Sequence, residues 1–213
     1  MLNTRDQEYI DTKKIKSGHL ALDEKFAPFA SWINLMYKVE ILNIVTDYIN
    51  DDTLRLQLIF EHQKDVEIFR PVSSFTNSVR KEKAIKKKYN ELFQNKVEDP
   101  ILVLFYAFEP LAREETTTSI PVKSKNAFKE KHKDKLWEVS IFGEYVTFFF
   151  FTNEELKKAE RQKQTLIIKE EYYSLLKPFD KFNYFTLENF HAIFDSKENF
   201  DKNFQSNWRW YYS

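Results

Sequence analysis

Side chains able to move protons or hold a metal ion are sparse in this sequence. Its four histidines, His19, His62, His132 and His191, stand far apart. None has the i, i+4 spacing that aims two imidazoles at one metal from a helix face. A histidine still serves as a general base where the fold brings a carboxylate to orient it. His191, within the apolar Phe190-His191-Ala192, and His62 are the candidates for such a dispersed site, with acids drawn from other strands. Adjacent acids occur at Asp51-Asp52 and Glu114-Glu115. Neither pair has the Asp-x-Asp-x-Asp-Gly pattern of a calcium loop. Turn chemistry accounts for the first and solvation for the second. Glu155-Leu156-Lys157 has the Glu-x-Lys form of some metal-dependent nucleases. However, Glu155 falls at the third position of a helix that Thr152 would cap, and no Pro-Asp pair precedes it suitably.

Phosphate and thiol chemistry is excluded more firmly. The two glycines, Gly18 and Gly143, are too few and too separated for a dinucleotide fingerprint or a P-loop, where backbone must approach phosphate closely. The Gly-x-Ser-x-Gly nucleophile turn is also absent. With no cysteine there is no disulfide, thiolate nucleophile, zinc finger or iron–sulfur cluster. No cofactor and no metal are expected, and the balance of these signs leans away from an enzyme.

Binding chemistry is better represented. Two lysine-rich segments, 80–88 and 123–135, each carry six cations, against Glu82 in the first and Glu130 and Asp134 in the second. Together they could track a phosphate backbone. As solvated faces they need no ligand. Tyr89 and Phe93 fall on the opposite, core side of the first segment, so base stacking lacks support there. The chain closes in Trp208-Arg209-Trp210-Tyr211-Tyr212. Read as a last strand, this segment puts Trp208, Trp210 and Tyr212 on one face and Arg209 and Tyr211 on the other. The aromatic terminus is either core or interface. Glu114, Glu115, Arg209 and Tyr211 are the candidate partner-binding residues, on a loop over 111–122 and on the terminal face.

The elements that would position these groups alternate between helix and strand. Residues 1–25 form an N-terminal arm or weak helix, and Pro28 marks a break or a first helical turn. Residues 31–49 fit either a helical period (Trp32, Leu35, Met36, Val39, Leu42) or, from 37, a β-branched strand. Asn50-Asp51-Asp52 is a turn, after which Leu54, Leu56, Leu58 and Phe60 alternate with Arg55, Gln57, Ile59 and Glu61 as a half-buried strand. A third strand is predicted over Val66–Phe69. Ser73-Ser74 would cap a basic amphipathic helix over 75–95, and Asp99-Pro100 leads into a buried strand, Ile101–Phe108. Residues 110–135 read as a long charged loop. Leu136–Phe142 and Tyr145–Phe151 form a hairpin about Gly143-Glu144. Thr152-x-x-Glu155 and Asp195-x-x-Glu198 are capping boxes, the second following a strand over Asn189–Phe194.

At 213 residues, formally uncharged, 42% hydrophobic and 17% aromatic, the chain has a globular profile. The predicted fold is α+β, a mainly antiparallel sheet with helices packed on it, in a single compact domain over 1–213. The polar start and the absence of a long apolar run predict no membrane span and a cytoplasmic location. The basic helix ending in Glu91-Leu92-Phe93, the acid Asp99 and the strand Ile101–Tyr106 resemble a family of small uncharacterised bacterial α+β proteins. So do Lys197-Glu198 with Phe200, Phe204 and Trp208, which resemble that family's closing helix and tryptophan. Some members look like immunity partners of polymorphic toxins. The chain has no Asp-Asp-Arg-Gly turn between Phe194 and Lys197 to match theirs. The resemblance implies a protein partner, such as a cognate toxin, and no catalytic residue. The expectation is a non-enzymatic protein-binding module that occludes its partner. Nucleic-acid binding through 80–88 and 123–135, or a dispersed His/acid enzyme site, are the alternatives.

Overall fold

The computed structural model describes residues 2–49, 52–71, 77–93 and 100–213. The turn at Asn50-Asp51, the cap at Ser73-Ser74 and Asp99 lie outside them. The chain divides into two compact units, Met1–Pro110 and Leu111–Ser213, where the sequence predicts one domain over 1–213.

Unit 1 opens with α1 (Gln7–Lys16), a 3₁₀ turn (Glu24–Phe26) and α2 (Ala27–Tyr37). Pro28 sits in the first turn of α2, where its missing N–H is not needed. Lys38 ends the helix in the left-handed region at φ 56°. The strands β1 (Ile41–Ile49) and β2 (Thr53–Phe60) then pair antiparallel. Thus 31–49 holds both elements that its periodicity allows. A crossover through α3 (Gln63–Phe69) and α4 (Val79–Phe93) brings β3 (Ile101–Ala107) alongside β2, parallel to it. The alternation in β2 sends Leu54, Leu56, Leu58 and Phe60 into a core with Phe29, Ile33, Phe69, Ile85 and Phe105. On the other sheet face, α1 covers Asn43, whose amide donates to Thr12 Oγ1 at 3.0 Å. Tyr9 there stacks on Phe108 at 5.3 Å.

Unit 2 begins within α5 (Phe108–Ser119), which starts in unit 1, and continues with α6 (Val122–Lys131). The hairpin of β4 (Leu136–Phe142) and β5 (Tyr145–Phe150) turns at Gly143, whose φ of 58° suits a residue without Cβ. Next come α7 (Asn153–Arg161), α8 (Gln164–Leu176) and β6 (Ala192–Ser196), which pairs parallel with β5. The helices α9 (Lys197–Phe204) and α10 (Trp208–Tyr211) end the chain. Val146, Phe148 and Phe150 face a core with Phe128, Tyr172, Leu176 and Phe190. On the opposite face, Phe149 meets Trp137, Phe200, Trp208 and Tyr211.

The two units repeat one plan of helix, hairpin, two-helix crossover, parallel third strand and helix. The first strand of each hairpin shifts register at the same place, between Ile41 and Asn43 and between Leu136 and Glu138. At that shift a side chain accepts from the next backbone N–H in both units: Asn43 Oδ1 from Ile44 at 2.9 Å and Glu138 Oε1 from Val139 at 2.9 Å. Beyond the strand ends, Glu109 N–H donates to Glu61 O at 2.9 Å, as Glu198 N–H does to Phe151 O at 3.3 Å.

The α+β class therefore holds, with each sheet mixed because its third strand arrives through a helical crossover. The strand expected to be buried over Ile101–Phe108 is the edge strand β3, with Leu102 40% exposed and Phe108 already in α5. Several expected elements change type. Val66–Phe69 is part of α3, not a strand, because Val66 and Phe69 bury one helical face. The expected loop over 110–135 contains α5 and α6. The hydroxyls of Thr116, Thr117 and Thr118 donate to carbonyls three or four residues earlier, which lets a threonine run stay helical. The terminal aromatics form α10 rather than a strand, capped by the Asn207 side chain. Ser196, not Asp195, caps α9.

Candidate functional site

In unit 1 the carboxyl ends of β2 and β3 lie side by side, the place where open α/β sheets commonly hold ligands. Glu61 follows β2, His62 is the N-cap position of α3, and Glu109 is the second residue of α5. His62 Nδ1 lies 2.7 Å from Glu109 Oε2, and its Nε2 lies 3.9 Å from Glu61 Oε1. Glu61 is buried, and Lys16 Nζ donates to its other oxygen at 2.6 Å. An imidazole oriented by a carboxylate has the geometry of a general base. The second unit shows what else this position does. There Glu198 Oε2 accepts the Asn153 N–H at 3.0 Å, and Ser196 Oγ donates to Asn153 Oδ1 at 2.8 Å. In both units the carboxylate just after the third strand fastens the start of the helix that follows the second.

The other histidines divide. His132 is buried at the end of α6, its ring 4.7 Å from Phe128 and its Nε2 2.9 Å from Glu171 Oε2. Lys131 Nζ donates to the same oxygen at 2.8 Å. That bond, with the weaker one from His132, holds the Glu171 carboxyl below its ordinary range against the opposing effect of burial. Lys131 and Glu171 line an open groove of about 540 Å³ between α6 and α8, with Ser124, Ala127, Phe128, Ser174 and Leu175. His191 is exposed, one residue before β6 rather than within an apolar strand, with its ring 5.4 Å from that of Tyr145. His19 is also exposed. Among the described residues, no group of three or more His, Asp or Glu side chains is placed to hold a metal ion.

A different surface lies between α2 and α4. Trp32, Met36, Tyr37, Arg80, Lys81 and Ala84 line a groove of about 320 Å³. Phe29 and Ile33 of α2 are fully buried, while Leu35 is 85% exposed and Met36 58% exposed. The Trp32 ring is held parallel to Phe29 at 6.2 Å and edge-on to Tyr37 at 5.9 Å. Burial raises the Tyr37 phenol, against the pull of Arg80. Along α4, Ile85 and Tyr89 face the core, as the helical period predicts.

The candidate partner-binding residues sit on two helices of unit 2. Glu114 and Glu115 are half-buried on α5. Arg209 is exposed on α10. Tyr211 donates its O–H to Asp195 Oδ2 at 2.7 Å, and its ring meets Phe149, Phe200 and Phe204, so most of its surface serves internal packing. Burial first, and Asp195 second, raise its phenol well above the ordinary value. Asp52 is a turn residue just before β2, and Asp51 lies outside the described residues. Glu155 completes the expected capping box with Thr152. Sequence reasoning missed Arg113, beside the chosen acids. It is buried, pairs through Nε with Glu144, and donates to the Tyr184 and Asn189 carbonyls at 3.0 and 2.9 Å. It also missed the exposure of Leu35 and Met36, although both were visible as members of a helical period.

Among the described residues, no helix is long and apolar enough to cross a membrane. No family model, no curated protein and no solved structure matches this chain.

Proposed function

We propose that the chain is a non-enzymatic, cytoplasmic protein-binding module that acts by covering a surface of its partner. The observation that carries this reading is the outward display of Leu35 and Met36 on α2, beside the groove to α4. A single exposed leucine is ordinary. Two adjacent ones at this exposure, next to a half-buried tryptophan and a cationic helix, have the composition of an interface centre. The resemblance to immunity-type proteins supports a toxin as that partner, neutralised by occlusion. The recurrence of the strand-end carboxylate supports a fastening task for the His62–Glu109 pair, which lowers the weight of the dispersed enzyme site.

Affinity capture with the wild-type chain, compared with a Leu35→Glu/Met36→Glu variant, tests the proposal. One stoichiometric protein should be retained by the first and lost by the second, with equal thermal stability of the two baits. Equal retention by both baits, or none by either, would count against it.

A further inference from the structure

We infer that the groove between α2 and α4 receives an acidic, amphipathic segment of the partner protein. Apolar side chains of that segment would enter against Trp32 and Met36, and its carboxylates would meet Arg80, Lys83 and Lys87. The inference rests on the protein-binding reading and adds the partner's chemistry.

The cations of α4 fall into two sets. Lys86 and Lys88 pair with Glu82 and Glu91 at 2.6 and 3.2 Å, and Lys81 Nζ donates to the Ile68 carbonyl at 2.5 Å. Arg80, Lys83 and Lys87 are exposed and make no ion pair with a described residue. Their spacing, i, i+3 and i+7, sets them on one stripe of the helix. Trp32, Leu35 and Met36 have the matching i, i+3, i+4 spacing on α2. The face therefore offers Trp32 and Met36 in the groove beside Arg80, with Leu35, Lys83 and Lys87 exposed on the same two helices, the complement of a helix or strand that alternates acids with aliphatic residues.

Two alternatives fit less well. A nucleic acid would need free aromatic faces for its bases, yet Trp32 is occupied by Phe29 and Tyr37. It would also leave Leu35 and Met36 without a counterpart. The corresponding groove in unit 2 offers a comparison. Between α6 and α8 its cation Lys131 is already paired with Glu171, and Ser124 and Ser174 share the lining with Ala127, Phe128 and Leu175. The cation that lines this second groove is therefore paired, whereas Arg80 in the first makes no ion pair with a described residue.

The test uses the full chain and a fluorescein-labelled helical peptide with leucines along one face and Glu and Asp elsewhere. A lysine version of that peptide, phosphatidylserine vesicles and single-stranded RNA serve as competing probes. The acidic peptide should bind, weaken with added salt, and shift amide resonances of α2 and α4. Arg80→Glu/Lys83→Glu should weaken it about tenfold or more, and Met36→Ser less so, while Lys131→Ala leaves it unchanged. The circular dichroism of each variant should match wild type, and Lys87→Glu provides an independent charge change. Preference for the lysine peptide, the vesicles or RNA would overturn the inference, as would resonance shifts confined to other elements or an absence of acidic-peptide binding. If the peptide fails while capture of the partner still depends on Leu35 and Met36, only the acidic-segment chemistry falls. If capture also ceases to depend on them, the protein-binding reading falls with it.

Discussion

Replacing Arg113 with methionine should destabilise unit 2 by about 3 kcal/mol. The side chain is 7% exposed and its partner Glu144 20% exposed. Methionine keeps an apolar stem near the Phe185 ring, over which the guanidinium now lies at 4.2 Å. The substitution removes the charge that satisfies Glu144 and two carbonyls. Breaking a buried ion pair from one side costs about 3–5 kcal/mol. The lower end applies because Glu144 keeps some contact with water and the Tyr184 carbonyl still accepts from the Asn189 amide. For a unit of roughly 100 residues this lowers Tm by about 12–24 °C and shifts the urea midpoint by at least about 1 M. Trp137, Trp208 and Trp210 lie in unit 2 and Trp32 alone in unit 1, so fluorescence in a Trp32→Phe background follows unit 2. Adding Glu144→Leu to Arg113→Met should recover much of the loss, since the stranded carboxylate is then gone. A shift below about 1 kcal/mol for Arg113→Met would refute the assignment of Arg113 as a structural tie.

Other perturbations separate packing from display. Phe149→Ala should cost about 3–5 kcal/mol by opening a cavity among Trp137, Phe200, Trp208 and Tyr211, measured in the same urea assay. Leu35→Ser should change stability by less than about 1 kcal/mol, because its side chain gives up little burial on the α2 surface; a larger loss in thermal unfolding would mean that Leu35 serves the fold. Tyr211 has a folded phenol pKa raised above its unfolded value near 10. The protonated form is thus favoured by folding, and its contribution is complete below about pH 10 and lost as pH rises beyond that. Tyr211→Phe should remove this alkaline loss and cost about 1 kcal/mol at neutral pH, checked by urea midpoints across pH 7 to 11.

How far the sequence discloses the molecule depends on how local the determining physics is. The strand β2 and the hairpin at Gly143 follow from alternation and a turn residue, and both elements stand in the structure, although β2 is buried on both faces and not half-buried, because Gln57 and Ile59 are covered too. So does the Thr152 capping box, whose two hydrogen bonds span three residues. Of the first crossover, α4 follows from its helical period but α3 was not legible: Val66–Phe69 is too short for its period to distinguish helix from strand. The repeated plan was hidden because it rests on backbone register and strand-end hydrogen bonds. Different side chains meet those requirements, with His62 and Glu109 in one unit and Asn153 and Glu198 in the other. Glu114 and Glu115 looked like a solvated acidic loop because charge is visible in a sequence and position on a helix is not. Arg113, one residue earlier, carries the structural load there. The terminal aromatics stand out in the sequence. Their division into a packed Tyr211 and the more exposed Trp208 and Trp210 needed the helix of α10, since a strand would sort them by alternation.

Hydrogen exchange on the chain bound to the protein it captures tests the contact account most directly. The account predicts slowed exchange within Ala27–Tyr37 and Val79–Phe93, with the β2 and β3 ends near His62 and Glu109 unchanged. Protection confined to those strand ends or to the terminal helix Trp208–Tyr211, with α2 and α4 exchanging as in the free chain, would contradict it.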